Sequence, residues 1–265
     1  FGQCQKCCIG EECSSDSSTY PTLLVHGWST WGNLETLQNS IDALNPLQDE
    51  LVDEGFLKFG MLLPDASFNE FEEGSWGKGG IPVTVRTTYY LDVVDKNGVV
   101  VGEVDKTKGI KDYGESLGEV VEMLKYRTGK DKVNIIAFSM GGLVTRSYIK
   151  EGGKDNVHKL VIIGTPNHGT HSNDNGINKG CKVFSPDQTC EDMKSGSNFI
   201  KDLDNFDISK TSLQTITIAG SCGKSNAGYD YDNIVRVESV ALSGVVKNHV
   251  IKCGNELTYH PFNSF

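Results

Sequence analysis

Residues 133–146 read Val-Asn-Ile-Ile-Ala-Phe-Ser-Met-Gly-Gly-Leu-Val-Thr-Arg. The first six form an apolar, β-branched run, too short for a helix and preceded by a glycine and charged residues. That reads as a buried strand. Ser139 comes next, then Met140, two glycines and a helix-like stretch to Lys150. A strand that becomes a helix within so few residues must turn sharply. Ala137, Gly141 and Gly142 are small enough to let backbones close around such a turn. The turn lifts the Ser139 hydroxyl out of the sheet at a helix N-terminus, where amide dipoles favour developing negative charge.

The flanking chain supplies more strands and helices. Residues 110–127 place Ile110, Tyr113, Leu117, Val120, Val121 and Leu124 on one face of an amphipathic helix. Residues 159–164 read as the next buried strand, closing in Gly164-Thr-Pro-Asn-His-Gly169. Nearer the N-terminus, residues 20–27 (Tyr-Pro-Thr-Leu-Leu-Val-His-Gly) form a strand that ends in a glycine turn. Residues 34–56 carry Leu34, Leu37, Ile41, Leu44, Leu47 and Leu51 at helical spacing, broken or kinked at Pro46. Residues 64–80 read as a long loop with the exposed-looking aromatics Phe68, Phe71 and Trp76. Residues 83–94 and 99–104 are β-rich and joined by Asp-Lys-Asn-Gly, a hairpin signal; the ligands that a calcium loop would need are missing. Residues 170–197 are rich in Asn, Asp, Gly and Ser and form a second insertion. A short helix at 197–203, a strand at 213–219, a helical or irregular piece at 234–240 and a last strand at 245–252 complete the chain. Such alternation gives an α/β fold with a mostly parallel sheet covered on both faces. No repeat or linker divides it. The expected organisation is an N-terminal arm over 1–20 and one catalytic domain over 21–265, with insertions near 64–108 and 170–197.

Composition limits the function classes. The chain has 265 residues, of which 37% are hydrophobic and 23% charged, enough to build a sizeable core. A net charge of −10 argues against nucleic acid and against an anionic membrane surface as main partners. No apolar run approaches the length of a membrane span. The eight cysteines are even in number, and Cys4, Cys7, Cys8 and Cys13 cluster in the first thirteen residues. Together with a start at Phe1 rather than methionine, they suggest a secreted, disulfide-bearing chain. A metal site at this cluster is disfavoured, because no histidine is near and the Cys7-Cys8 pair breaks zinc spacing. The sequence holds no N-x-[ST] sequon.

The stretch around Ser139 resembles the nucleophile elbow of the α/β-hydrolases, in the form A-x-S-x-G-G with Ala137 at the usual first glycine. Leu24-Val-His26-Gly27-Trp28 resembles the H-G-x oxyanion turn of lipases. Gly164-Thr-Pro-Asn-His-Gly169 and Ser195-Gly-Ser197-Asn-Phe-Ile200 resemble strand-end and helix segments of bacterial lipases and serine esterases. Gly228-Tyr-Asp-Tyr-Asp232-Asn-Ile-Val235 resembles the D-x-[IV]-V acid loop. The motifs run in the family's order over about residues 20–262. The resemblance implies an α/β-hydrolase fold and a serine ester hydrolase of the lipase or carboxylesterase kind, with no cofactor.

The roles follow position by position. Ser139 is the nucleophile, His260 the base and Asp232 the acid; the N–H groups of Met140 and Trp28 form the oxyanion hole. Asp230 is a rival acid, but only Asp232 has the apolar pair at the right offset. His249 is a rival base inside the last strand, from which it cannot easily reach the top of the sheet. His158 is read as a surface residue, and His26 shapes the oxyanion turn. His168, His171 and Asp174 form at most a weak metal reading. In this fold's usual order the strands before Cys222 and Cys253 are neighbours, so these two cysteines should pair. Cys181 would then pair with Cys190, and the N-terminal four among themselves in one of three ways. The substrate is an acyl ester or lipid. The same chemistry would serve a triacylglycerol lipase or a polyester depolymerase, with the insertions as lid or platform. A non-catalytic binding protein on this scaffold is disfavoured, because no triad position is missing.

Overall fold

A computed structural model describes residues 14–29, 34–64, 72–78, 80–96, 99–104, 107–171, 188–224 and 228–253. Seven strands form one sheet: β1 (Thr22–Val25), β2 (Leu57–Leu62), β3 (Val83–Thr87), β6 (Val133–Phe138), β7 (Val157–Ile163), β8 (Gln214–Ser221) and β9 (Lys247–Lys252). Their spatial order is β2-β3-β1-β6-β7-β8-β9, and every neighbouring pair is parallel. A separate antiparallel hairpin joins β4 (Leu91–Lys96) to β5 (Val99–Val104), with Lys96 opposite Val99, as the Asn-Gly signal predicts.

An all-parallel sheet must be covered on both faces. The central strands show it: Leu23, Leu24, Val25, Val133, Ile135, Ala137, Leu160 and Ile162 are fully buried. The covering helices include α1 (Leu34–Asp42), α2 (Asn45–Asp53), α3 (Ile110–Thr128) and α4 (Met140–Lys150). The predicted apolar face of α3 is buried throughout, from Ile110 to Leu124. Its end is set by Gly129 in the left-handed region (φ 64°), whose N–H caps the carbonyls of Lys125 and Tyr126.

The helical stretch 34–56 is broken near Pro46, as its sequence suggests, into two helices with Pro46 in the first turn of the second. Three details depart from the sequence expectations. Strand β2 is absent from the sequence reading: it is an edge strand with only Leu62 buried, so no alternating pattern marks it. The run 83–94 is broken into β3 and β4 by Thr88, Tyr89 and Tyr90, which are buried for a reason given below. Trp76 is not an exposed aromatic. It stacks on Phe59 at 4.3 Å, with the Arg127 guanidinium 4.9 Å above its ring. Phe68 and Phe71 lie outside the described residues.

Consecutive strands leave β1 on opposite sides: the chain passes to β3 on one and returns through β6 on the other. A crevice at the carboxyl ends of the strands is expected at such a switch point. The segments that follow β1, β6, β7 and β8 all meet there.

Candidate active site

Ser139 sits at the junction of β6 and α4 with φ 50° and ψ −127°. A side chain in that region carries strain on the order of 1–3 kcal/mol, which the surroundings must hold in place. Three bonds do so. Ser139 N–H donates to the Ile163 carbonyl at 2.8 Å, and the Ser139 carbonyl accepts from Thr165 Oγ1 at 2.6 Å and from Gly142 N–H at 3.0 Å. The two glycines are required by contact. A Cβ on Gly141 would strike the carbonyls of His26 and Val25, and one on Gly142 would strike the Thr165 side chain and Ile162. Helix α4 therefore begins wedged between the ends of β1 and β7.

The turn after β1 closes over the serine: a Cβ on Gly27 would lie 2.8 Å from that of Ser139. Its direction is set by neighbours distant in sequence. The Gly27 carbonyl accepts from His26 Nδ1 at 2.6 Å and from the Tyr89 hydroxyl at 3.1 Å. Tyr89 also donates to the His26 carbonyl at 3.0 Å and stacks on the His26 ring at 4.7 Å. The Gly27 carbonyl can only accept, so the His26 proton sits on Nδ1, and Nε2 accepts from Thr88 Oγ1 at 2.9 Å. In a trans peptide the C=O and the following N–H point opposite ways, so pinning the Gly27 carbonyl aims the Trp28 N–H. Neither the Trp28 N–H nor the Met140 N–H makes a backbone hydrogen bond among the described residues. Thr88 and Tyr89, which hold this turn, are residues that the sequence reading did not single out. Tyr89→Phe removes the hydroxyl that holds both carbonyls and is expected to lower kcat about tenfold with little change in Tm. Steady-state kinetics and a thermal melt check it.

Asp232 follows β8 on a loop whose Asn233 takes φ 78°, a conformation asparagine tolerates. Asp232 Oδ1 accepts from the N–H groups of Val235 at 2.7 Å and Ile234 at 2.9 Å. That explains the apolar pair at its offset: Val235 is buried and anchors the loop. Oδ2 lies 3.3 Å from where a Gly164 Cβ would stand, beside Phe138, and a Gly220 Cβ would meet the Asp232 Cβ at 2.9 Å. Asp232 thus rests on two glycines at the ends of β7 and β8. Asp230 is exposed. Burial raises the Asp232 carboxyl above its ordinary value, against the pull of the backbone N–H groups of Val235, Ile234 and Asp232.

A carboxyl raised on folding opposes folding when ionised, and the penalty fades as pH falls through its raised pKa. Asparagine keeps an Oδ1 for both N–H bonds and removes the charge. Asp232→Asn is therefore expected to melt above the wild type at neutral pH, with the gap closing in acid. Its kcat should fall on the order of 10²–10⁴-fold. Melts at the two pH values and ester kinetics check both halves.

His260 lies outside the described residues. His249 lies in the middle of β9, opposite Ile218. His158 is half-buried against the Tyr20 ring at 5.2 Å rather than fully exposed, and burial lowers its pKa. His168 has both nitrogens engaged, Nδ1 with Asp204 Oδ1 and Nε2 with the Ala241 carbonyl, each at 2.9 Å. Asp174 lies outside the described residues, and among those described no group of three His, Cys, Asp or Glu side chains could hold a metal ion.

Cys222 and Cys253 form the predicted disulfide, with Cα atoms 4.7 Å apart at the ends of β8 and β9. Cys190 is also disulfide-bonded; its predicted partner Cys181 and the four N-terminal cysteines lie outside the described residues. No helix among the described residues is long and apolar enough to cross a membrane.

Residues 109–230, which hold the elbow and the strand-end segment and end two residues before Asp232, match the family model Lipase (class 2). Over nearly the whole chain the fold matches lipases of known structure. The mature form of the lipase BlEst2 of Bacillus licheniformis superposes with a TM-score of 0.52 at 14% identity, over 89% of this chain and 86% of that one. The gene lin2722 product of Listeria innocua gives 0.51 at 17% identity, over 89% and 84%. Lipase B of Aspergillus fumigatus gives 0.51 at 14% identity; it is longer, and this chain covers 46% of it. No curated protein sequence matches the chain. The fold is that of an α/β-hydrolase, and a little under half of the chain matches a lipase family. The protein is a carboxylic ester hydrolase.

Proposed function

We propose that this enzyme cleaves acyl esters through Ser139, His260 and Asp232, by way of an acyl-enzyme. His260 takes the Ser139 proton as Oγ attacks the ester carbonyl, and Asp232 orients the imidazole and stabilises its charged form. The oxyanion is held by the N–H groups of Trp28 and Met140. His260 then protonates the leaving alcohol, and water, activated by the same histidine, releases the acid and restores the serine. The observation that carries this reading is the strained Ser139 at the head of α4, packed under the Gly27 turn, with the buried Asp232 carboxylate against Gly164 at the end of the neighbouring strand.

The match to a lipase family favours lipid esters over other acyl esters. The stacking of Trp76 on Phe59, with Arg127 over its ring, counts against that side chain as a platform for polymer. The disulfides favour an extracellular setting. A fluorophosphonate probe tests the reading. It is expected to label the enzyme once, at the peptide carrying Ser139; an unlabelled chain, or a label elsewhere, overturns it. Hydrolysis of esters of graded chain length, below and above their solubility limit, then separates a lipase, which gains rate at the interface, from an esterase, which does not.

A further inference from the structure

The segment after β7 is joined to the short helix Val237–Val240 by four hydrogen bonds. Asn167 Nδ2 donates to the Val240 carbonyl at 2.6 Å, and His168 N–H donates to the Ser239 carbonyl at 3.2 Å. Ser239 Oγ donates to the Gly169 carbonyl at 2.7 Å, and His168 Nε2 bonds the Ala241 carbonyl. The other side of the clasp is anchored in the nucleophile helix. Arg146 on α4 donates from one guanidinium nitrogen to the Asn167 carbonyl at 2.8 Å and to its Oδ1 at 3.3 Å. Its other terminal nitrogen donates to the Leu203 carbonyl at 3.1 Å. Burial lowers the Arg146 pKa to about 10, which leaves it cationic at neutral pH. Asn167 is fully buried, and Arg146 is 3% exposed.

Helix Val237–Val240 continues directly from the acid loop, and Val237 N–H donates to the Asp230 carbonyl at 3.0 Å. The loop is held by the Cys222–Cys253 bridge where it leaves the sheet, by the packing of Asp232 on Gly164 and Gly220, and by this clasp where it ends. Among the described residues, the clasp is what ties it by hydrogen bonds to a side chain of the nucleophile helix. We propose that Asn167, held by Arg146, is a positioning residue for the hydrolytic reaction: it sets the distance between the acid loop and the elbow. It acts through Val240 and the loop, with no contact to the reacting atoms. The proposal rests on the assignment of Asp232 as the acid. Misplacement of a catalytic group by about 1 Å can cost on the order of 10²-fold in rate.

Asn167→Asp tests it. The carboxylate keeps an acceptor for Arg146 but faces the Val240 carbonyl with a second acceptor. Ser239→Ala removes one bond from the same clasp and decides by the same readouts where Asn167→Asp does not fold. Titration with a fluorophosphonate counts competent sites, so kcat per titrated site is independent of any unfolded fraction. Asn167→Asp is expected to lose about 10- to 100-fold in kcat per site, with KM nearly unchanged. The acidic limb of its kcat/KM profile should move to lower pH, because an imidazolium less well supported by Asp232 gives up its proton more readily. Ser239→Ala should shift the same way by about 2- to 5-fold. Wild-type kcat per site and an unmoved pH profile, even with a lowered Tm, overturn the proposal and leave the clasp a purely stabilising feature. Asp232→Asn runs alongside: if it keeps wild-type kcat per site, the acid assignment itself falls, an outcome distinct from failure of the clasp alone.

Discussion

Ser139→Ala is expected to fold as the wild type does and to lose ester hydrolysis by on the order of 10³-fold or more. The fold should survive because the bonds that hold residue 139 run through its backbone: its N–H to Ile163, and its carbonyl from Thr165 and Gly142. Alanine keeps the Cβ that packs against Gly27 and loses only Oγ. No hydrogen bond of that hydroxyl is seen among the described residues, so its removal leaves none of their buried groups unsatisfied. What is lost is the atom that attacks, and no neighbouring side chain replaces it. The oxyanion hole and binding alone sustain a small residual rate. Near-wild-type turnover of a short-chain ester by the alanine variant, with the label absent, would falsify the elbow as the reacting centre.

The second large effect separates two histidines. His260→Ala should abolish turnover to a similar degree, while His249→Ala should stay within about threefold of the wild type. Residue 249 is paired opposite Ile218 in β9, an edge strand whose neighbour on one side is β8. That register runs across Ile218 and Ile163 to Phe138, the residue before Ser139, so His249 is level with the strand ends but three strands away from β6, roughly 14 Å at the usual spacing between strands. His260 lies seven residues beyond Cys253, which is fastened to the end of β8 through Cys222. Seven residues span at most about 23–25 Å when extended, enough to return over the carboxyl ends of the strands. The measurement is kcat/KM for both variants on one soluble ester, with melts to confirm folding. A dead His249→Ala beside an active His260→Ala would place the base in β9.

Much of the architecture was legible because it is local. Six apolar residues before Ser139 and two glycines after it suffice to define a strand, a sharp turn and a helix. The face of α3 follows from its spacing, and the β4–β5 hairpin from its Asn-Gly pair. The pairing of Cys222 with Cys253 followed from strand order implied by the family resemblance. The elements missed carry weak local signals. Strand β2 lies at the sheet edge and buries one residue, so its sequence has no reason to alternate. Thr88 to Tyr90 look like strand residues because β-branched and aromatic side chains suit strands, yet they are buried for the contacts they make with His26.

The sequence by itself determined the order of the chemistry-bearing segments and the strained turn at Ser139, because both depend on residues adjacent in the chain. Tertiary structure alone decided how those segments face one another. The direction of the Trp28 N–H depends on Thr88 and Tyr89, 62 residues from the groups they hold. Asn167 donates to the Val240 carbonyl 73 residues away, at the end of the segment that carries Asp232. Such contacts exist only after the parallel sheet has brought the ends of β1, β6, β7 and β8 together, and no periodicity along the chain encodes a hydrogen bond across that distance.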